Sequence, residues 1–228
     1  MRREAPDFVS PLLDRVLYED AEALVIDKPA GLPVDRPRDG SDAVEMRLEE
    51  LRFGFARPPS IVHRLDRDTS GCLLFARTER AHRRFAAAFE EGLVEKRYLA
   101  VVDGVPREAA GGIEMALAKR SSREQGWRMV PDARGKRAVT DWRLLGIANG
   151  RALLLLAPAT GRTHQLRVHM ASGLMLPIMG DPIYGAGGGT MLHAWKLTVP
   201  RRGKPVIACA APPPPAFDAW REFVGDAG

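Results

Sequence analysis

The alternation of apolar and polar positions predicts most of the elements of this chain. At 72–76 the run CLLFA is apolar at every position, which implies a strand covered on both faces. Residues 79–91 change to helical spacing, with Phe85, Ala88 and Phe89 on one stripe, Thr78 as the N-cap and Gly92 just past the end. Lys96–Val102 alternates as a strand and carries Tyr98. Arg15–Tyr18 and Ala23–Lys28 flank the turn-like EDAE and read as a hairpin. Ile113–Ala118, Trp127–Val130, Ala138–Leu145 and Ala152–Ala157 read as further strands, the last two joined at Asn149-Gly150.

Ser41 is placed to cap a helix over about Asp42–Phe53, with Val44, Leu48 and Leu51 in register. Thr163 is placed to cap a short helix over His164–Ser172 that stops at Gly173. KPAGLPVDRPRDG (28–40) is loop, and strands at Leu197–Val199 and Val206–Ala210 precede a C-terminal helix after the stiff Pro212–Pro215 connector. Strands outnumber helices and short turns join many neighbours. The pattern predicts an α+β fold around a mainly antiparallel central sheet flanked by helices and loops. There is no internal repeat and no evident linker, so one domain over 1–228, with its core at about 17–210, is expected.

Composition changes this picture little. Hydrophobic residues make up 45% and charged residues 28%, an ordinary globular balance. Two cysteines, Cys72 and Cys209, form no CxxC pair; with no disulfide framework or zinc motif they suit a reducing cytosol, and Cys72 reads as core. The longest apolar stretch, Ala152–Ala159, is too short to span a bilayer, and MRREAPDFVS lacks the apolar run of a signal peptide. A cytoplasmic location without membrane attachment is expected. Lys and Arg number 34 against 29 Asp and Glu, a formal charge of +5 that suits a polyanionic partner without requiring one.

Two polar clusters stand out. HRLDRDTSG (63–71) lies just before the buried strand, where a carboxylate is held by a rigid element on one side and opens to a cleft on the other. Asp and Thr are also ordinary turn formers, but the arginines bracketing Asp66 are costly to assemble unless an anion such as phosphate is expected there. GRTHQLRVH (161–169) would place Arg167 in the second turn of its helix, and a plain amphipathic helix with basic solvent-facing residues is the alternative, since Arg is a good helix former. His63, His164, His169 and His193 are four of the five histidines, yet His164 and His169 fall on different faces of a helix and no HExxH occurs, so no metal is expected. HRLDRD is not a kinase catalytic loop: its order is wrong, and neither a Gly-rich loop nor DFG accompanies it.

HRLDRDTSG, KRYLAVVDG (96–104), GRTHQLRVHM (161–170) and GDPIYG (180–185), with LVIDKPAGLPV (24–34) as an opening, together resemble in order and spacing the RluA-type pseudouridine synthases. The resemblance runs from about Leu17 to Leu197. It implies a pseudouridine synthase-like catalytic domain with a central cleft, no cofactor, and ribosomal or transfer RNA as the partner. It implies Asp66 as the catalytic aspartate, Tyr98 as the tyrosine that packs on the target base, and Arg167 as the basic residue that pairs with the aspartate. It also implies Arg64 as a residue filling the space left by the flipped nucleotide. His63, Arg162, His164 and Gln165 are expected to contact substrate. The small N-terminal RNA-binding domain of many relatives has no room before residue 15, so the catalytic domain is expected to read a compact stem-loop unaided. A monomer is expected.

The chemistry gives these residue types a reason. Pseudouridine is an isomer of uridine, so no redox partner, energy donor or metal is needed. A carboxylate can act as nucleophile at the anomeric carbon or as base at the sugar, whose transition state resembles that of glycoside hydrolysis. A buried Arg167 alongside would keep it ionised and fix its rotamer. The target base must leave its stack, at a cost of about a few kcal/mol, least in loops. Arg120, Arg123, Arg128, Arg134, Lys136 and Arg137 form a basic stretch between strands that suits RNA backbone and suits a solvated loop equally. The alternatives are a non-catalytic RNA-binding module, which needs no Asp66–Tyr98–Arg167 set, and a hydrolase. The hydrolase wants a second carboxylate, and Asp68, two residues on, would face the other side of an extended segment.

Overall fold

The computed structural model describes residues 11–122 and 126–225. In chain order the elements are β1 (Val16–Glu19), β2 (Ala23–Lys28), β3 (Ser60–Ile61), β4 (Ser70–Ala76), α1 (Glu79–Glu90), β5 (Glu95–Val102) and β6 (Ala110–Ser122). Then follow β7 (Gly126–Pro131), β8 (Lys136–Ala148), β9 (Arg151–Pro158), α2 (Gln165–Val168), β10 (Leu192–Val199), β11 (Ile207–Ala210) and α3 (Arg221–Val224). All strands join one sheet in the order β1-β2-β4-β10-β5-β9-β8-β6-β7, with β11 on β10 and β3 on β4.

The sheet is mixed, because β4 and β10 pair in parallel. That pairing covers only His193↔Ser70 and Ala194↔Gly71, after which β10 turns to β11. Two half-sheets thus meet at a short seam. Gly71 sits there at φ +107°, where a Cβ would collide with the backbone of Ala194, so the glycine is required by close approach as well as by conformation. Ser70 Oγ lies 2.8 Å from His193 Nδ1, and His193 Nε2 lies 3.1 Å from the carbonyl of Ala211, which fastens the seam.

The expected two-sided burial of β4 has a clear origin. Cys72, Leu74 and Ala76 pack with Ala81, Phe85 and Ala88 of α1, while Leu73 and Phe75 pack with Val44 and Leu51 on the opposite face. Thr78 caps α1 by accepting a hydrogen bond from Ala81 N at 3.1 Å. In the other half-sheet, β5 and β9 pack with Leu166, Met170, Ile178 and the C-terminal Phe217 and Trp220.

Three helices differ from expectation. The segment expected as a helix at 42–53 is a 3₁₀ helix, Val44–Leu51, and its N-cap is Ala43. Val44 N and Glu45 N already donate to the carbonyls of Pro33 and Val34, so the loop before it takes the role Ser41 was expected to fill; Ser41 turns to Asp39. Between 164 and 172 only Gln165–Val168 is α-helical, and His169–Gly173 widens into a π turn. The residue at the N-cap is His164, not Thr163. The C-terminal helix is a 3₁₀ turn, Pro215–Trp220, followed by α3.

Of the basic stretch only Arg134 lies in a turn among the described residues. β6, β7 and β8 run further than their apolar cores suggested, so Arg120 and Arg128 face each other across two strands and Lys136 and Arg137 lie in β8. Arg123 lies outside the described residues.

Candidate active site

A cleft of about 540 Å³ opens where the two half-sheets meet, lined by the 62–66 segment, Lys96 and Tyr98 of β5, and residues 158–167. Asp66 reaches it from the loop before β4, where Thr69 N donates to the Asp66 carbonyl at 3.1 Å in a tight turn. Lys28, fully buried, holds the same loop from behind with its ammonium on the carbonyls of Pro29, Leu32 and Arg67, at 2.7, 2.7 and 3.0 Å. Burial pulls the Lys28 pKa down to about 7 against the opposing charges of Asp68, Asp66 and Asp27.

Arg167 lies beneath Asp66, with Nη1 3.3 Å from Asp66 Oδ2. Its stronger partner is Asp181, reached by Nε and Nη2 at 2.7 Å each, a bidentate pair in which Asp181 is completely buried. Burial works against the arginine's charge, but the hydrogen bonds and charge of Asp181, with Asp66 adding, outweigh it and raise its pKa. Asp181 also accepts from Ile183 N and Tyr184 N, and these bonds with Arg167 keep its pKa below the usual carboxylate range despite burial. Asp66 is therefore the outer, partly exposed member of an Asp–Arg–Asp row, and its Oδ1 accepts no hydrogen bond from the described residues.

Tyr98 lines the same cleft; burial first, and then the charge of Asp66, raise its phenol pKa. The structure thus brings Asp66, Tyr98 and Arg167 together from three distant segments.

The remaining expected residues divide. Arg64 stands at the rim, exposed, 2.6 Å from Asp35. Arg162 is exposed and donates to the Arg137 carbonyl at 3.1 Å. His63 stacks on Phe89 with centroids 4.5 Å apart, and its Nε2 accepts from Leu74 N at 3.1 Å. Burial lowers its pKa to about 4, and its Nε2 is already taken.

Gln165 lines the cleft, with its side chain bonded into the fold. Its Oε1 accepts from Thr160 Oγ1 and Arg162 N at 2.7 and 2.9 Å. Its Nε2 donates to Val139 O and Thr140 Oγ1 at 2.9 and 3.0 Å, so the side chain's bonding capacity is used inside the fold. His164 is buried at the cleft wall in a left-handed conformation, φ +52°, with Nδ1 3.0 Å from Tyr184 Oη.

Part of the basic stretch is neutralised locally. Arg137 pairs with Glu114 at 2.6 Å, and Arg120 and Arg134 share Asp132 at 3.2 and 3.6 Å. Trp127 of β7 lies against the His164 ring at 5.0 Å, with the Lys119 ammonium over it at 5.0 Å. Among the described residues no three His, Cys, Asp or Glu side chains converge as metal ligands would.

Residues 22–172 match the family model described as RNA pseudouridylate synthase. The chain belongs to this family. An uncharacterized RNA pseudouridine synthase of Zymomonas mobilis is 55% identical over 211 residues, covering 90% of this chain and 96% of the relative. The ribosomal large subunit pseudouridine synthase D of the same organism is 40% identical over 177 residues, 75% of this chain but only 55% of that longer protein. Human RNA pseudouridylate synthase domain containing 4 superposes with a TM-score of 0.77 at 26% identity, covering 94% of each chain. The chain is an isomerase of the RNA pseudouridine synthase class.

The pattern of this synthase left Asp181, Tyr184 and Lys28 without roles. GDPIYG was visible as a motif, and a second carboxylate for a buried Arg167 is the signal that could have pointed to Asp181. Lys28 carried no such signal, since a lysine in a Pro/Gly-rich loop reads as exposed. No helix among the described residues is long and apolar enough to cross a membrane.

Proposed function

We propose that this synthase, acting as one catalytic domain and a cytoplasmic monomer, converts specific uridines in structured ribosomal or transfer RNA to pseudouridine on nucleotides flipped into the cleft. Asp66 acts on the ribose. The C1′–N1 bond breaks with its electron pair passing to uracil, the base turns, C5 bonds to C1′, and the C5 proton is lost while N1 gains one. Atoms and electrons balance without a further reactant.

The observation that supports this reading is the asymmetry of the Asp–Arg–Asp row. Arg167 is anchored by buried Asp181, so Asp66 is steadied from behind while Oδ1 stays bare toward the cleft. Tyr98 supplies a flat apolar face for the base. Its raised pKa keeps the hydroxyl protonated at neutral pH, so it passes a proton by relay and not as a standing phenolate. The half-neutralised ribbon of β6–β8 contributes Lys119, Arg128 and Lys136 for RNA backbone.

The test incubates purified protein, without added metal or nucleotide, with total RNA lacking pseudouridine, and maps the product by carbodiimide chemistry beside Asp66→Asn. Site-specific signal from wild type alone supports the reading and names the uridine. Equal signal from both removes Asp66 from the chemistry, and free uracil in the supernatant indicates a hydrolase.

A further inference from the structure

Tyr184 Oη lies within hydrogen-bond distance of three groups: Met129 N at 3.0 Å, Met129 O at 3.1 Å and His164 Nδ1 at 3.0 Å. A phenol has one proton to give. Met129 N–H can only donate and Met129 C=O can only accept. The phenol proton therefore goes to Met129 O, because the alternative leaves two oxygens 3.1 Å apart with no hydrogen between them. Oη then faces His164 with a lone pair, and the proton of that third bond sits on Nδ1. Burial lowers the His164 pKa, which keeps the ring neutral and leaves Nε2 without a proton. Nε2 has no partner among the described residues, and His164 lines the cleft.

The backbone fits a positioned group. A φ of +52° is uncommon for a residue with a side chain, though histidine adopts it more readily than most. Here Trp127 and Tyr184 flank the ring, with centroids 5.0 and 5.7 Å from it. β7 is an edge strand, so its Met129 groups are open to Tyr184, which ties that ribbon to the cleft wall.

We propose that Tyr184 is a positioning residue that locks His164 with its proton on Nδ1, and that the bare Nε2 accepts a hydrogen bond from the flipped nucleotide. This rests on the reading of the cleft given above. An acceptor without a proton selects a donor and repels lone pairs. Uridine offers N3–H, where cytidine presents a lone pair, and its ribose offers hydroxyls; phosphate oxygens offer nothing. The inference makes His164 a discriminator of uridine or of ribose, not a phosphate clamp.

Long-range ¹⁵N NMR of the labelled full chain decides the lock, with the His164 signals assigned by their loss in His164→Asn. Wild type is expected to show a protonated Nδ1 and bare Nε2, and Tyr184→Phe a mixture of tautomers. A proton on Nε2 in wild type, or an unchanged spectrum in Tyr184→Phe, overturns the lock. Kinetics on a transcript carrying the mapped uridine decide the contact. His164→Asn preserves the Nδ1 position and suits the left-handed backbone, and its kcat/KM is expected to fall about 10- to 100-fold. His164→Gln, which returns a polar group near Nε2, is expected to recover part of the loss.

With 3-methyluridine at the target, wild type and His164→Asn should become equally slow if N3–H is the donor; the same convergence with 2′-deoxyuridine assigns the hydroxyl. A His164→Asn penalty that survives both changes, or no penalty at all, overturns the contact. Wild-type inactivity on every RNA removes the proposed function and the contact with it, while the spectrum still judges the lock.

Discussion

In the segment 63–71, Asp66 leaves one carboxylate oxygen bare and Arg64 extends to the rim, while the loop itself is held by groups outside it, chiefly the Lys28 ammonium and the seam at Gly71. Across the cleft, in 160–170, Gln165 and Arg167 turn inward. Gln165 fills its bonding capacity on Thr160, Arg162, Val139 and Thr140, and Arg167 gives its two shortest bonds to Asp181. Two stretches of equal polarity thus do opposite work: one displays a reactive group, and the other is the wall that keeps it aimed. A polar motif therefore marks a site without saying which of its members meets the ligand. The test is how many hydrogen-bond partners each side chain has already taken.

If this division holds, substitutions in the two segments should separate activity from stability. The largest effect is expected from Asp66→Asn. Its kcat/KM on the mapped RNA should fall by about 10²–10⁴-fold, the range for losing an essential acid–base or nucleophilic group. Its urea unfolding free energy should change by less than about 1 kcal/mol, because Asp66 is partly exposed and Arg167 keeps Asp181. A large loss of stability would move Asp66 into the wall.

The mirror case is Asp181→Asn. It leaves the buried Arg167 guanidinium with Asp66 as its only full charge partner among the described residues, and about 3–5 kcal/mol of unfolding free energy should be lost. Below that comes Gln165→Leu, which keeps the bulk and strands the groups it served, at about 1–3 kcal/mol. Near-normal kcat with a lowered unfolding midpoint is the expected signature. An unchanged midpoint with a raised KM would return Gln165 to the substrate.

How far these roles could be read beforehand follows from the same contrast. Burial patterns are local, so CLLFA, the Thr78-capped helix and the Asn149-Gly150 hairpin were legible from apolar spacing and turn chemistry. The parallel seam was not, since two residue pairs between 70–71 and 193–194 leave no trace in periodicity. The 3₁₀ helix at 44–51 was misread because its first amides are bonded by Pro33 and Val34, a tertiary contact that replaces the cap. Asp66, Tyr98 and Arg167 were reached through a resemblance in four motifs. Residue types alone left Asp66 among turn formers and Arg167 on an ordinary helix. Asp181 and Tyr184 act through partners 14 and 55 residues away, which only the fold brings near.

His169 sharpens the contrast further, because it is turned inward without taking a partner among the described residues. It is fully buried, neither ring nitrogen has a partner among the described residues, and burial lowers its pKa to about 4. The unfolded chain takes up a proton near the ordinary value of about 6.5, while the native state refuses it until about pH 4. Native stability therefore falls as pH drops through 6.5 toward 4, and His63, with the same direction and cause, adds to the fall. Burial lowers the pKa values of His164 and His193 as well, and His169→Leu removes one contribution of this set. Its advantage over wild type in urea unfolding should grow by about 2 kcal/mol between pH 7.5 and pH 5, an order-of-magnitude figure from that shift. A gap constant across that range would mean that the native state protonates His169 as readily as the unfolded chain does. The imidazole would then hold a proton inside the wall, and 160–170 would contain a titrating group beside Arg167 in place of a spectator.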